Sequence, residues 1–365
     1  KELKNNILKH HSLCYKKLSM SKKDLSVLKL KNLSLNNKPL AIYSNFKSQI
    51  NFIIKKNTFL VAVSGGPDSL ALSALSKIYS KENKNKIFYV LVNHGIRTNS
   101  GKEALAVKNL LKKRGILLTI LKNKKKINKN LQSEARTIRY QLLSNFCKKN
   151  KIKFIITGHH RDDQIETFLI RLSRGSGIQG LSSMNKITKL NNKIKLIRPL
   201  LEEKKEDLIF IAKKYYGKIF KDPSNSNKKY LRTKMRSLIK QLEKSGIKRE
   251  RIVHSINNLA ATRDTLNSYI LRIEKKCIIK KKNTILIDLK SFLLESNDIQ
   301  FKIFGNSIKY ISKNYYPPRA KKILNLLIRV KSDKELKATL GGCIVHKRQN
   351  NLIINREELK NSAKL

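Results

Sequence analysis

From residue 57 the chain alternates short apolar runs with longer stretches of helical periodicity. An apolar strand is predicted over 57–63, followed by a helix opening at Ser69-Leu70-Ala71-Leu72. Further on, strands are predicted at Ile87–Val92, Ile116–Leu121 and Lys153–Thr157, and helices at Gly101–Arg114, Gln132–Asn150 and Asp162–Ser173. Strict strand–helix alternation implies parallel strands joined by right-handed helical crossovers. The expected class is therefore α/β: a Rossmann-like parallel sheet with flanking helices, then a helical connector and a small mixed C-terminal domain. The expected boundaries are a basic extension over 1–56, a catalytic domain over 57–240, a connector over 241–282 and a C-terminal domain over 283–365 closing near Arg356–Glu357.

In parallel sheets ligands gather at the carboxyl ends of strands, and three of these ends carry unusual polar segments. They are Ser64-Gly65-Gly66-Pro67-Asp68-Ser69, Asn93-His94-Gly95-Ile96-Arg97, and Gly158-His159-His160-Arg161-Asp162-Asp163-Gln164-Ile165-Glu166-Thr167. All three are expected on one rim. In the first, two glycines let backbone amides approach an anion, and the following helix offers its positive N-terminal end. Asp68 beside a polyphosphate would be repulsive unless a Mg²⁺ bridged them. The loop lacks the lysine of a Gly-x-x-x-x-Gly-Lys-[Ser/Thr] site. It resembles instead the loop of the PP-loop ATPases, which implies ATP cleavage between the α and β phosphates.

Composition adds a partner class. Lys and Arg number 81 against 25 Asp and Glu, a formal net charge of +56, so the surface carries a field that attracts polyanions, nucleic acid above all. A/T-rich codons for Lys, Asn and Ile are an alternative origin of that excess, but the field exists either way. Cys14, Cys147, Cys277 and Cys343 lie far apart with no Cys-x-x-Cys pair, which argues against zinc, a cluster or a disulfide framework and for a reducing compartment. No apolar run reaches membrane-spanning length, so a cytoplasmic protein is expected. The chain begins at Lys1, and Met20 is a plausible start.

Several side chains admit two readings. Asp163 and Glu166, spaced i, i+3, share a helix face that would grip a cationic amine or a metal, or they are acids favoured by the helix dipole; Asp162 points about 100° away. His159 is a ligand contact or a structural histidine. Arg136 and Arg139 clamp phosphate or the adenylate, or pair with Glu134 or Glu166 on the surface. Arg174, before Gly175 and Gly177, is a loop contact or a helix end. Asp222-Pro223-Ser224-Asn225 is turn chemistry, and Arg232 and Arg236 after it share a helical face that could reach RNA. Lys122–Lys129 is a solvated loop with phosphate contacts. Tyr310, Tyr315 and Tyr316 stack on RNA or pack in a core.

These motifs, with Glu134-Ala135-Arg136-Thr137-Ile138-Arg139-Tyr140, Arg171–Gly177 and Arg198-Pro199-Leu200-Leu201, occur in the order expected of tRNA(Ile)-lysidine synthetases, which this chain resembles over about residues 57–240. Tyr316-Pro317-Pro318-Arg319 through Cys343 is similar to the family's C-terminal substrate-binding domain. The resemblance implies an enzyme that uses ATP, Mg²⁺ and free L-lysine to convert the wobble cytidine of CAU-anticodon tRNA(Ile) to lysidine through an adenylated tRNA. It implies catalytic roles for Asp68, Asp163, Glu166 and Arg232, and nucleotide contacts from Ser64, Gly65, Gly66, Pro67, Asp68, Ser69, His94, Arg136, Arg139, His159 and Arg174. A homodimer is compatible with all of this. Two other readings stay open: another PP-loop tRNA enzyme such as a thiolase, against which the missing cysteine pairs count, and a basic RNA-binding protein with a retired nucleotide site.

Overall fold

The computed structural model describes residues 38–124, 131–191, 193–220, 231–313 and 317–357. Met20, most of the Lys122–Lys129 run, the Asp222–Asn225 turn, Tyr315 and Tyr316 lie outside the described residues. The chain divides into two compact units, Lys1–Ile256 and Asn257–Leu365.

The first unit is a six-stranded sheet in the order β3-β2-β1-β4-β6-β5. Its strands are β1 (Phe59–Val63), β2 (Ile87–Asn93), β3 (Leu118–Lys122), β4 (Phe154–Ile156), β5 (Ile187–Lys189) and β6 (Lys195–Ile197). All pairings are parallel except β5 with β6. Central β1 alternates between two cores. Phe59, Val61 and Val63 face helices α1 (Lys38–Ile53), α2 (Pro67–Asn83), α3 (Ser100–Lys112) and α7 (Lys205–Tyr216). Leu60 faces Leu143 and Cys147 of α4 (Leu131–Lys149). Both faces are covered, as a parallel sheet requires.

One boundary differs from expectation. The catalytic domain was expected to begin at 57, yet α1 contributes Ile42, Tyr43, Phe46 and Ile50 to the sheet's core. Their i, i+1, i+4, i+8 spacing places them on one helical face, so residues 38–53 are part of this unit.

Helices α5 (Arg161–Leu172), α6 (Ile178–Leu181) and α8 (Leu231–Lys244) complete the surroundings of the strand ends. Ile165 and Leu169 of α5 pack with Ile239 of α8 and with Ile252 and Ile256 at the start of α9 (Arg249–Cys277), a separate small core that fixes α8 against α5. The expected connector region contains the end of α8 and all of α9, and the division between the two units falls within α9.

The second unit carries an antiparallel sheet in the order β7-β8-β11-β10-β9. Its strands are β7 (Ile278–Lys280), β8 (Thr284–Asp288), β9 (Leu336–Leu340), β10 (Cys343–Arg348) and β11 (Asn351–Arg356). Helices α10 (Leu289–Leu293), α11 (Asn297–Ser312) and α12 (Ala320–Ser332) accompany it, and Phe292, Phe304, Ile308, Val330, Val345 and Ile354 lie in its core. Tyr310 is half exposed, with Lys280 over its ring at 5.8 Å. Among the described residues, no helix is long and apolar enough to cross a membrane.

Candidate active site at the carboxyl ends of β1, β2 and β4

The strand order runs β1 to β2 to β3 in one direction and places β4 on the other side of β1. Such a reversal opens a crevice between the loops after β1 and β4, where ligands of open α/β sheets bind. The Ser64–Ser69 loop and the Gly158–Glu166 segment flank it, and the His94 loop follows neighbouring β2.

The first loop is braced from within. The Ser69 hydroxyl oxygen accepts from the backbone N–H of Ser64 (3.1 Å) and Gly65 (3.2 Å) and donates to the Gly66 carbonyl at 2.9 Å, with the Ser64 hydroxyl 3.1 Å away. Ser69 Oγ therefore holds the loop's shape, its donor already committed. Gly65 needs its glycine: φ is +88°, and a Cβ there would lie 2.7 Å from Val107 Cγ2. Gly66 is the N-cap of α2 without a side-chain cap, and Pro67 opens the helix. The amides of Asp68 and Ser69 in the first turn thus lack intrahelical acceptors and point toward an incoming anion.

The β4 segment is pressed against that loop. A Cβ on Gly158 would lie 2.8 Å from the Asp68 carbonyl oxygen and 3.1 Å from the Ser69 nitrogen. Two residues later His160 caps α5: its Nδ1 accepts from the Asp162 N–H at 3.2 Å, while the Asp163 carboxylate accepts from the His160 N–H at 3.1 Å. The ring's other nitrogen, Nε2, sits 3.5 Å from Asp68 Oδ2 and 3.5 Å from Asp163 Oδ2. Burial pushes this imidazole's pKa down, but its hydrogen bond to Asp68 and the charges of Asp163, Asp68 and Asp162 outweigh burial, and the net shift is upward. The cap requires a lone pair on Nδ1, so the proton belongs on Nε2, facing the carboxylates.

Glu166 is buried on the next turn of α5 and accepts from Arg236 Nε of α8 at 2.6 Å. Burial lowers the Arg236 pKa, and Glu166 more than reverses that. Arg236 is therefore bound to Glu166, which corrects the surface pairing of Glu166 with Arg136 or Arg139 and turns Arg236 away from a free RNA contact. Asp162 faces elsewhere and pairs with Arg249 Nη1 at 3.0 Å. Two carboxylate oxygens in this acidic group, Asp68 Oδ1 and Glu166 Oε2, are buried without a hydrogen-bond partner among the described residues.

A second group of site residues is cationic. Burial holds the His159 imidazole well below its ordinary value, reinforced by Arg198, Arg136, Arg232 and Arg139. Burial and then Arg139 hold His94 down as well. Burial likewise lowers Arg139, with Arg136 and Arg232 adding to the effect against Tyr140. His94, Arg136, Arg139, His159 and Arg232 thus sense one another across α4, α8 and two strand ends. Arg136 lies over the Tyr140 ring at 5.1 Å and His159 Nδ1 is 2.8 Å from the Thr157 hydroxyl. Neutral histidines among guanidinium groups suit an anionic ligand, since they add hydrogen bonds without more like charge.

Arg174 is exposed just beyond the C-terminal end of α5. At 1.5 Å per residue it lies roughly 16 Å along the helix from Asp163. Sequence reasoning missed Gly158 and His160, although both stood within the recognised segment.

Cys147, Cys277 and Cys343 are buried at three separate places, and burial pushes their thiols up to about 12, 11 and 11. These are structural thiols rather than the thiolates that sulfur handling uses.

The family model described as PP-loop domain matches residues 39–242. The tRNA(Ile)-lysidine synthase of Wolbachia pipientis wMel is 36% identical over 306 residues, 82% of this chain and 71% of the relative. That of Orientia tsutsugamushi (strain Boryong) is 34% identical over 306 residues, 81% of this chain and 69% of the relative. A solved structure of a U34-tRNA thiolase from Methanococcus maripaludis with its [4Fe-4S] cluster aligns with a TM-score of 0.50 at 22% identity, covering 60% of this chain and 80% of that one, a likeness of fold alone. On a matching domain model and relatives alike over most of their length, the chain belongs to the tRNA(Ile)-lysidine synthase family of PP-loop enzymes.

Proposed function

We propose that this crevice forms lysidine on tRNA(Ile) in two steps, first adenylating the wobble cytidine of the CAU anticodon with ATP and then exchanging AMP for free L-lysine. The observation that carries the reading is the contact of an uncapped, glycine-shaped helix N-terminus with the segment that bears the buried acids, Gly158 resting on Asp68 and Ser69 and His160 reaching Asp68. Cytosine O2 is a poor leaving group until it is adenylated. In the first step O2 attacks the α-phosphorus and pyrophosphate departs.

The pyrophosphate end lies against the amides of Gly66, Asp68 and Ser69, while Arg136, Arg139 and Arg232, with neutral His94 and His159, take the charge gathering at the α-phosphate. The partnerless Asp68 Oδ1 fits a Mg²⁺, which when bound would supply charge neutralisation at the phosphates.

In the second step the lysine ε-amine attacks C2, the C2–O bond breaks and AMP leaves. A free ammonium loses its proton at a pKa of about 10.4, so the pocket must help remove it. Glu166 Oε2 and Asp163 are the acceptors in reach of one helix face, with Arg236 bonded to the other oxygen of Glu166. The net charge of +56 supplies the tRNA's electrostatic attraction, and the enzyme acts in the cytoplasm.

The test combines purified protein, ATP, labelled lysine and CAU-bearing tRNA(Ile) transcript. Asp68→Ala abolishes pyrophosphate release, and Glu166→Gln raises the KM for lysine far more than that for ATP. Pyrophosphate release by Asp68→Ala at the wild-type rate, or an unchanged lysine dependence in Glu166→Gln, refutes the assigned roles.

A further inference from the structure

His160 has no role in the two steps just described, yet it touches both of their acidic groups. It is only 3% exposed, which keeps it from contact with RNA. Its Nδ1 serves the helix cap, and its Nε2 is 3.5 Å from a carboxylate oxygen of Asp68 and equally far from one of Asp163. The ring thereby engages Asp68 through Oδ2 and leaves Oδ1 as the oxygen without a partner. A second contact fixes the same spot: the bare Cα of Gly158 lets the loop carrying His160 rest on the Asp68 backbone. Asp68 is held from two sides, backbone and side chain, by the three-residue segment Gly158–His160.

We propose that His160 is a positioning residue that sets the orientation of the Asp68 carboxylate toward the phosphate cradle and ties it, through the same ring, to Asp163 on the lysine side. The proposal rests on the reading of Asp68 given under Proposed function. A carboxylate free to rotate must be ordered each time nucleotide and cation arrive, whereas one already fixed has that cost removed beforehand. The competing role is that of a helix cap and nothing more.

His160→Asn separates the two. Asn is among the best N-cap residues and accepts the same Asp162 N–H, but it has no second ring nitrogen to reach Asp68 and Asp163. His160→Ser, another good cap, is the companion variant. Both are expected to melt within about 3 °C of wild type, a shift of roughly 1 kcal/mol for a domain of this size.

In both, the Mg²⁺ concentration for half-maximal pyrophosphate release should rise at least about five-fold. By calorimetry, a non-hydrolysable ATP analogue should bind more weakly by a similar factor with Mg²⁺ and with unchanged affinity without it. Unchanged Mg²⁺ dependence in both measurements overturns the proposal, as does a loss of stability in both variants that accounts for the weaker binding. Asp68→Asn is measured alongside. If it too leaves the Mg²⁺ dependence untouched, the reading of Asp68 itself fails; if it alters it while the His160 variants do not, only the role of His160 fails.

Discussion

Replacing Gly158 by Ala adds one methyl group at the tightest point of the crevice. That carbon would lie 2.8 Å from the Asp68 carbonyl oxygen and 2.9 Å from its carbon, against an ordinary contact of 3.4 Å or more. The obstacle is backbone on both sides, so no side chain can swing away. Relief requires a relative shift of about 0.6 Å (3.4 − 2.8) between the β4 loop and the first turn of α2. Overpacking of this kind costs about 1–3 kcal/mol, equivalent to roughly 2–10 °C in melting temperature. The larger effect falls on turnover, because a misplacement of ~1 Å at a reacting centre costs on the order of a hundred-fold. A shift of just over half that distance should lower the rate of tRNA-dependent pyrophosphate release roughly ten-fold or more under saturating ATP. Gly101→Ala is the control: its Cβ would meet nothing within 4 Å and it lies in helix α3, so it should be neutral or stabilising by up to about 1 kcal/mol. Turnover by Gly158→Ala within two-fold of wild type would refute the close-packing argument.

Two further outcomes are expected. Arg236→Ala leaves the Glu166 carboxylate, 3% exposed, without its cation; breaking a buried pair costs about 3–5 kcal/mol, and the 31% exposure of Arg236 reduces this to about 1–3 kcal/mol, read as a lower urea midpoint that Arg236→Lys partly restores, whereas an unchanged midpoint would mean that water already solvates Glu166. His159 has a folded pKa below its ordinary value of about 6.5, so the unfolded chain protonates first as the pH falls; stability is fully present above about pH 6.5 and declines below it by at most ~1.4 kcal/mol per pH unit for this group, and His159→Asn should flatten the urea midpoint between pH 7.5 and 5, with parallel slopes counting against the assignment.

The alternation of β1 to α5 was legible because each element is long or strongly patterned, and the strand ends could be placed on one rim from topology rules alone. Helix α1 escaped notice even though Ile42, Tyr43, Phe46 and Ile50 carry a helical period; a Lys- and Asn-rich surrounding masked it. That His160, beside His159, is the ring that reaches Asp68 was hidden for a different reason. Adjacent residues at a strand end face different ways, and which one reaches Asp68 depends on the α5 cap, a backbone detail that composition does not encode. The Glu166–Arg236 pair joins positions far apart in the chain, and its only sequence trace is the i, i+4 spacing of Arg232 and Arg236, which equally suits an RNA-facing stripe. Arg174 sits beside glycines that suggested a binding loop, and it lies exposed just past the end of α5.

The order of the sheet also governs when this protein can first hold a nucleotide. The crevice exists only once β4 lies beside β1, pairing Phe59 with Phe154, and the whole of β2, β3 and three helices must be accommodated between them. Contacts so distant in sequence close late in folding. A ribosome-bound chain that ends before β4 therefore has its phosphate loop and no partner wall, and the appearance of tight ATP binding would time the completion of this domain during synthesis.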